Sequence, residues 1–210
     1  MIPSLIVTGT DTGIGKTVVA AMLTLALDGY YWKPIQSGTK PRTDREAVAA
    51  MTGLPPSRLL KEAYVLREPL SPHRAAELDG VAIDPDSLGL PEAGGPLIVE
   101  GAGGVLVPVT RKLLQIDLFA RWGLPVVLVA RTALGTINHT LLSLEALQRR
   151  KIPVLGVIFV GEAMDDSEKT IIAFGKTKRL GRLPLLSKLD ANSLNASFTA
   201  HFEPHDFLAS

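Results

Sequence analysis

The chain has 210 residues, of which 46% are hydrophobic and 20% charged, and this length and apolar content suit one folded domain and exclude extensive disorder. A formal net charge of +1 gives no electrostatic reason to expect nucleic acid or an acidic membrane surface as the main partner, and no apolar run approaches the ~18 residues of a membrane span or has the form of a signal peptide. The absence of cysteine excludes disulfides, thiol catalysis and cysteine-ligated metal, and fits a cytoplasmic protein.

The first half of the chain alternates short apolar runs with segments of helical length. The runs at 4–9 and 30–35 predict buried strands, and residues 16–27 and 43–53 predict helices. The second helix is well delimited, because it starts at a capping threonine, carries a carboxylate in its first turn and ends in glycine. The stretch 54–95 is rich in proline, serine and charge, and predicts loops with one or two short helices.

The second half of the chain continues this alternation. Its apolar runs are again of strand length, and the first of them ends in a glycine turn. The predicted elements are strands at 95–104, 124–131 and 152–161, helices at 113–123, 137–151 and 167–176, and at most one short strand in the tail, around 179–184.

These elements predict an α/β fold. Strands without polar alternation that are separated by helices indicate a mostly parallel β-sheet with helices on both faces, here in a single domain over 1–210. Such sheets bind ligands at the carboxyl ends of their strands. Polar and glycine-rich segments follow several predicted strands, at 9–17, 33–37, 100–104 and 131–138. We therefore expect the functional site at that edge of the sheet.

A glycine-rich segment, GTDTGIGKT at 9–17, almost fits the phosphate-loop pattern G-x-x-x-x-G-K-[ST]. Glycines let such a loop bring backbone N–H groups close to phosphate oxygens, which the following helix N-terminus also attracts. Lys16 would reach the terminal phosphates and Thr17 would offer its hydroxyl to Mg²⁺. The loop lies between a predicted strand and a predicted helix, which favours a P-loop NTPase-like domain over a capped glycine turn with a solvated lysine.

The front of this loop is altered. The pattern places a glycine six residues before the lysine, where this chain has Thr10, and the glycine stands one residue earlier, at Gly9. Loops of the deviant type, found in partitioning and cell-division ATPases, carry a second lysine five residues before the main one, where this chain has Asp11. We therefore expect a phosphate-binding loop that is not of that switch type.

Two carboxylates are candidate metal ligands. Glu100 ends the apolar run PLIVE and is followed by GAGG, and Asp44 begins the helix after the second strand. Carboxylates and hydroxyls are the hard oxygen ligands that Mg²⁺ prefers. The alternatives are that Glu100 is a surface strand end and that Asp44 only stabilises the N-terminus of its helix.

A second lysine follows the second predicted strand. Lys33 in YYWKPI would point into the same cleft as Lys16, and Ser37 follows four residues later. Two cations near one triphosphate suit phosphoryl transfer, which depends on positioning and on charge neutralisation. A snorkelling lysine with its head in water is the structural alternative.

Taken together, these motifs resemble those of the dethiobiotin synthetases. The segments VTGTDTGIGKT, KPIQSG, SPH, VEGAGG and LGTINHTLLSLEAL occur in the family order, from residue 7 to about 147. The resemblance implies a ligase of biotin biosynthesis that uses ATP and Mg²⁺ to carboxylate 7,8-diaminopelargonic acid with CO₂. One amine would become a carbamate, the carbamate would form a carbamic–phosphoric anhydride with the γ-phosphate, and the second amine would close the ureido ring of dethiobiotin.

The same resemblance implies roles for individual residues, with Lys33, Lys16, Thr12 and Ser37 as the catalytic groups. The implied ATP-binding residues are Asp11, Thr12, Gly13, Ile14, Gly15, Lys16, Thr17, Glu100, Leu183 and Pro184. The implied Mg²⁺ ligands are Thr17, Asp44 and Glu100. The implied substrate-binding residues are Thr12, Lys33, Ser37, Gly101, Ala102, Gly103, Gly104, Leu134, Gly135, Ile137 and Asn138, the last four acting across the interface of a homodimer.

One position departs from the family pattern. Family members often carry an asparagine that reads adenine, in a G-V-x-x-N run after the fifth strand. The run here is GVIFVGE, with Val160 at the position of that asparagine. We therefore expect weak discrimination between nucleotide bases.

Three other functions are open to a chain with these motifs. One is a nucleotide-switch or partition ATPase, against which stand the altered loop front and the lack of a basic surplus. Another is an amidotransferase-type synthetase, which would need a catalytic cysteine and a further domain. The third is an inactive relative, against which the retained lysines and carboxylates argue.

Overall fold

The computed structural model describes residues 3–208. The strands in that range are β1 Leu5–Gly9, β2 Tyr30–Trp32, β3 Ile35–Ser37, β4 Leu59–Leu60, β5 Tyr64–Leu66, β6 Leu97–Gly104, β7 Val126–Arg131, β8 Val154–Val160 and β9 Arg179–Leu183. Seven of these described strands form a parallel sheet in the order β4-β2-β6-β1-β7-β8-β9, and β3 pairs in parallel with β5. The predicted α/β fold with a mostly parallel sheet is confirmed.

Helices connect most of these strands. The α-helices of the described range are α1 Lys16–Ala26, α2 Asp44–Thr52, α3 Pro72–Asp79, α4 Gln115–Trp122, α5 Thr136–Arg149, α6 Asp165–Gly175 and α7 Ala191–His201. Short 3₁₀ segments lie at Pro56–Arg58, Pro85–Ser87 and Pro204–Phe207. Between residues 3 and 208, none of the helices combines the length and the apolar character that crossing a membrane requires.

The helices cover both faces of the large sheet, because each strand buries side chains on alternate sides. Leu5 and Val7 of β1 belong to a core that includes residues of α1, α2 and α7. Ile6 between them belongs to a second core, with residues of α4, α5 and α6. Burial on both faces explains the unbroken apolar runs of the strands.

Strand pairing brings the predicted site segments together. β6 pairs with β1 on one side and with β2 on the other, so the carboxyl ends of these three strands are adjacent. The glycine-rich loop follows β1, Lys33 follows β2, and Glu100 lies in β6. The candidate functional residues therefore meet at the edge where parallel sheets bind ligands.

The segment predicted as one strand at 30–35 belongs to two sheets. The chain leaves the large sheet after β2 and enters the small one at β3, with Pro34 in between. Proline has no N–H to donate to a ladder, and the Pro34 carbonyl accepts hydrogen bonds from Ala63 N at 2.9 Å and Tyr64 N at 3.0 Å. This break directs β3 away from the large sheet.

Three other predictions of local structure are wrong. The stretch 54–95 contains β4 and β5 as well as α3, and β6 continues through the glycines that were expected to form a turn. The tail holds α7 in addition to the predicted β9. α7 begins after Asp190, whose carboxylate accepts a hydrogen bond of 2.9 Å from Ser193 N, and it buries Leu194 and Phe198 in the first core.

Candidate active site

The loop between β1 and α1 has the geometry of a phosphate-binding loop. Gly13 and Gly15 have left-handed backbone conformations, with φ of 71° and 96°, which glycine adopts without strain. No side chain within residues 3–208 caps the first turn of α1, so its N–H groups are available to an anion. A Cβ at Gly15 would lie 3.0 Å from Cγ1 of Val160, and this contact also favours glycine.

Lys16 begins α1 and extends back across the loop. Its Nζ donates a hydrogen bond of 2.7 Å to the carbonyl oxygen of Asp11, and the residue is only 6% exposed. Burial lowers the pKa of the Lys16 ammonium to about 8, although the Glu100 carboxylate acts in the opposite direction. A poorly solvated ammonium at this place would be strongly stabilised by a phosphate oxygen.

Glu100 is the centre of the polar contacts. It is 1% exposed, and both of its carboxylate oxygens accept hydrogen bonds. Oε1 accepts from the Thr17 hydroxyl at 2.9 Å and from Lys33 Nζ at 3.3 Å. Oε2 accepts from the Tyr31 hydroxyl at 2.8 Å. Burial, reinforced by the Glu100 charge, raises the pKa of Tyr31 well above its ordinary value, so the phenol remains a donor.

Lys33 forms salt bridges with Asp44 and Glu100. Burial alone would lower the pKa of Lys33, but the two carboxylates outweigh this effect and raise it. Asp44 is held by the start of α2, where its backbone N–H donates to Gln36 Oε1 at 3.1 Å and a capping box with Thr43 as the N-cap fixes the first turn. The expectation that Lys33 shares the cleft of Lys16 agrees with this geometry.

These side chains line a cavity of about 710 Å³. The predicted site residues among its walls are Thr12, Gly13, Gly15, Lys16, Thr17, Lys33, Ser37, Asp44, Glu100, Ala102 and Gly103. The Ser37 hydroxyl is buried and has no hydrogen-bond partner among residues 3–208. Because an unpaired buried hydroxyl is costly, a polar ligand atom in the cavity would stabilise it.

A second cavity, of about 310 Å³, lies on the other side of the loop. Leu183 and Pro184 line it together with the loop residues Gly13, Ile14 and Gly15. The remaining walls are mainly apolar and consist of Val18, Arg131, Val160, Leu185, Leu186 and Leu189. The cavity therefore offers a flat ring apolar contacts next to the phosphate loop.

The other predicted residues lie outside these two cavities. Asp11 and Gly104 line a third cavity of about 470 Å³. Gly101 lies against Gln115, whose Nε2 would overlap a Cβ at that position. Four predicted residues remain, and all of them follow β7: Leu134, Gly135, Ile137 and Asn138. Within the described chain they line none of the three cavities.

Hard oxygen donors from three elements meet in the large cavity. The Thr17 hydroxyl contacts Glu100, and Asp44 and Glu100 share Lys33. Residues 3–208 contain no group of three or more His, Cys, Asp or Glu side chains that could hold a metal ion. Two carboxylates and a hydroxyl nevertheless suit Mg²⁺, which retains waters and takes phosphate oxygens as further ligands.

Several further residues contribute to the candidate site, and the sequence did not predict them. Tyr31 contacts Glu100 only because β2 pairs with β6, and the local sequence gives no signal of that contact. Gln36 is polar within a buried segment, which was the available signal. Lys40 and Arg42 add two cations to the wall of the large cavity, beside the predicted lysines.

The chain is similar to known proteins over nearly its whole length. A family model described as an AAA domain matches residues 3–193. The chain is 59% identical to the ATP-dependent dethiobiotin synthetase BioD of Rhodopseudomonas palustris (strain HaA2), over 99% of this chain and 98% of the relative. It is 56% identical to the protein of that name from Novosphingobium aromaticivorans, over 96% of this chain and 98% of the relative.

A solved structure supports the fold. In the MinC:MinD cell division protein complex of Aquifex aeolicus, one chain aligns with a TM-score of 0.52 at 14% identity, covering 93% of this chain and 86% of that one. The identity is too low for an inference about function. The long, high-identity matches to the curated relatives carry that inference, and they confirm the resemblance stated from the motifs. The chain therefore belongs to the ATP-dependent dethiobiotin synthetase family, a family of ATP-dependent ligases of biotin biosynthesis.

Proposed function

We propose that one domain over 1–210 catalyses the carboxylation of 7,8-diaminopelargonic acid with CO₂, driven by ATP in the presence of Mg²⁺. One amine would add to CO₂ and lose a proton to give a carbamate. A carbamate oxygen would attack the γ-phosphorus and displace ADP. The second amine would attack the carbonyl of the resulting anhydride, lose a proton and release phosphate, which closes the ureido ring of dethiobiotin.

The observation that carries this proposal is the convergence of Lys16, Lys33, Asp44 and Glu100 on one cavity. In this reaction the carbamate of the substrate is the nucleophile, so the protein has to align anions and neutralise charge. A site rich in paired charges and free of cysteine meets that need.

In this proposal ATP lies along the glycine-rich loop. The backbone N–H groups from Asp11 to Thr17 would contact its phosphates, with the Lys16 ammonium on the terminal ones. The base would enter the apolar cavity lined by Leu183 and Pro184. Because this cavity adjoins the loop at Gly13 and Gly15, one nucleotide could reach both.

Mg²⁺ would be held by Thr17, Asp44 and Glu100. The Thr17 hydroxyl contacts Glu100, and Asp44 and Glu100 both contact Lys33. When bound, the ion would neutralise charge on the reacting phosphate. Glu100 is buried and anchored through both oxygens, whereas the Asp44 side chain is 29% exposed and can adjust.

The diamine would occupy the rest of the large cavity. Lys33 would bridge the carbamate and the γ-phosphate, and the hydroxyls of Thr12 and Ser37 would position the same groups. Support for this placement comes from the Ser37 hydroxyl, which has no hydrogen-bond partner within residues 3–208, and from Ala102 and Gly103, which line the cavity. A Cβ at Gly103 would lie 3.4 Å from Thr12 Oγ1.

We further propose a homodimer in which the start of α5 serves the site of the partner. Leu134 is fully exposed and Leu142 is 57% exposed, and a subunit contact would bury such side chains. Backbone N–H groups near Gly135, Ile137 and Asn138 would then bind the substrate carboxylate, as helix N-termini bind anions.

The proposal is tested by phosphate release from ATP in the presence of Mg²⁺ and bicarbonate, with and without the diamine. We expect release that depends on the diamine, together with dethiobiotin detected by mass spectrometry. Release that does not need the diamine would indicate a switch-type ATPase. No release, with nucleotide still bound, would indicate an inactive relative.

A further inference from the structure

Tyr31 lies in the middle of β2, at a position where a buried side chain is expected to be apolar. It is fully buried, and its backbone pairs with Leu59 of β4 and Ile98 of β6. The ring packs in the core that includes α1 and α2. Glu100 stands two residues after Ile98, on the same face of β6. It accepts a hydrogen bond of 2.8 Å from the Tyr31 hydroxyl. A phenylalanine would fill the same space in the core, so within residues 3–208 the hydroxyl adds only its hydrogen bond to Glu100.

The two oxygens of Glu100 have separate partners. Oε2 accepts from Tyr31 at 2.8 Å, whereas Oε1 accepts from Thr17 at 2.9 Å and Lys33 at 3.3 Å. The last torsion of a glutamate side chain is broad in energy, so the carboxylate plane needs an external constraint. The bond from Tyr31 supplies that constraint and keeps Oε1 turned toward the cavity.

We propose that Tyr31 is a positioning residue, which holds the Glu100 carboxylate in the orientation that binds the metal of the Mg²⁺–nucleotide complex. This inference rests on the proposed function, in which Glu100 is a metal ligand. Groups that hydrogen-bond to a metal ligand orient it, and their loss typically weakens metal affinity by about 10–100-fold. Tyr31 does not line the large cavity, so it acts through Glu100 rather than on the substrate.

The test uses Tyr31→Phe, which removes the hydroxyl and keeps the ring packing. The matched control is Tyr30→Phe on the same strand, because Tyr30 points to the opposite face and packs against the guanidinium of Arg58, 4.9 Å from the ring centroid. Mn²⁺ affinity is measured in the presence of ADP from the electron paramagnetic resonance signal of free Mn²⁺. We expect Tyr31→Phe to weaken Mn²⁺ binding by about tenfold and Tyr30→Phe to leave it unchanged.

A double variant separates positioning from general damage. If Tyr31 acts through Glu100, Tyr31→Phe has no further effect on Mn²⁺ affinity once Glu100→Gln is present. Unchanged affinity in Tyr31→Phe, or the same loss in both tyrosine variants, overturns the proposal. If Glu100→Gln itself leaves Mn²⁺ affinity unchanged, the metal assignment of the proposed function fails as well. A different result would refute only the role of Tyr31. In that result Glu100→Gln weakens Mn²⁺ binding but Tyr31→Phe does not, so the metal assignment stands.

Discussion

Lys33→Met removes the ammonium that pairs with Asp44 and Glu100 while keeping most of the side-chain volume. Removing one partner of a buried ion pair typically costs about 3–5 kcal/mol. Glu100 is nearly inaccessible, but the Asp44 side chain is 29% exposed and can be solvated. We therefore expect the free energy of unfolding to fall by about 3 kcal/mol, at the lower end of this range. In a protein of this size about 1 kcal/mol changes Tm by 2–4 °C, and Tm should therefore fall by about 6–12 °C.

Stability and activity should respond differently to Mg²⁺ in this variant. Without Lys33 the two carboxylates repel each other, so a divalent cation between them should restore part of the lost Tm, and more than it adds to the wild type. Turnover should remain about 10²–10³-fold lower, because the ammonium proposed to contact the carbamate and the γ-phosphate is absent. ADP affinity should change little, since Lys33 is proposed to act on groups that ADP lacks.

The assays are calorimetric unfolding in EDTA and in Mg²⁺, and phosphate release at saturating ATP and diamine. Lys112→Met is a suitable control, because it makes the same substitution at an exposed lysine. A Tm of Lys33→Met equal to that of the control would refute the ion-pair reasoning. If Mg²⁺ raises Tm by the same amount in the variant and in the wild type, Lys33 does not share its carboxylates with the metal.

Three further predictions concern the nucleotide. Lys16→Ala should abolish turnover in the phosphate-release assay while leaving the protein folded, and near-normal activity would refute the loop assignment. Because burial lowers the pKa of Lys16 to about 8 and bound phosphates favour its charged form, ADP binding should take up a proton above that pH and weaken as the pH rises. Calorimetry in buffers of different ionisation enthalpy measures the uptake, which Lys16→Ala should lack. Finally, KM should differ by less than about tenfold between ATP, GTP and CTP, and Val160→Asn should favour ATP by about tenfold; a wild-type preference of about 100-fold would show that another residue reads the base.

The sequence predicted that Lys16, Lys33 and Glu100 lie near one another, and the structure places all three in the wall of one cavity, for a physical reason. In a parallel sheet, residues that follow different strands meet at one edge, so the positions of Lys16, Lys33 and Glu100 after apolar runs were enough to place them together. Helix signals gave the position of Asp44, because the capping threonine and the early carboxylate mark the start of α2, whereas its role as a metal ligand was implied by the family resemblance. These inferences use local patterns and one rule about sheets, and need no knowledge of strand order.

What the sequence could not give depends on tertiary contacts. The hydrogen bond from Tyr31 to Glu100 requires the pairing of β2 with β6. The local sequence of neither strand indicates which strand it pairs with. The chain leaves the large sheet at Pro34, but this residue lies within a largely apolar run that was predicted as one strand. α7 has weak amphipathic character, and its contacts with α1 and β9 through Leu194 and Phe198 stabilise it, as tertiary packing does for most short helices.

The pKa values of the two lysines are shifted in opposite directions, and the partners of each lysine explain the difference. Lys16 and Lys33 are each 6% exposed. Lys16 donates to a carbonyl oxygen, so burial prevails and its pKa falls to about 8. Lys33 touches two carboxylates, which outweigh burial and raise its pKa. The Lys33 charge is therefore compensated before any ligand binds. Among residues 3–208, Lys16 donates to a carbonyl oxygen and forms no salt bridge with a carboxylate, so a bound phosphate would be its first anionic partner. A ligand shifts an equilibrium only by its differential interaction with the two states. If Lys16 binds phosphate as proposed, the gain in charge compensation on binding is largest at Lys16. If Lys33 acts on the substrate as proposed, it first has to give up its contacts with Asp44 and Glu100.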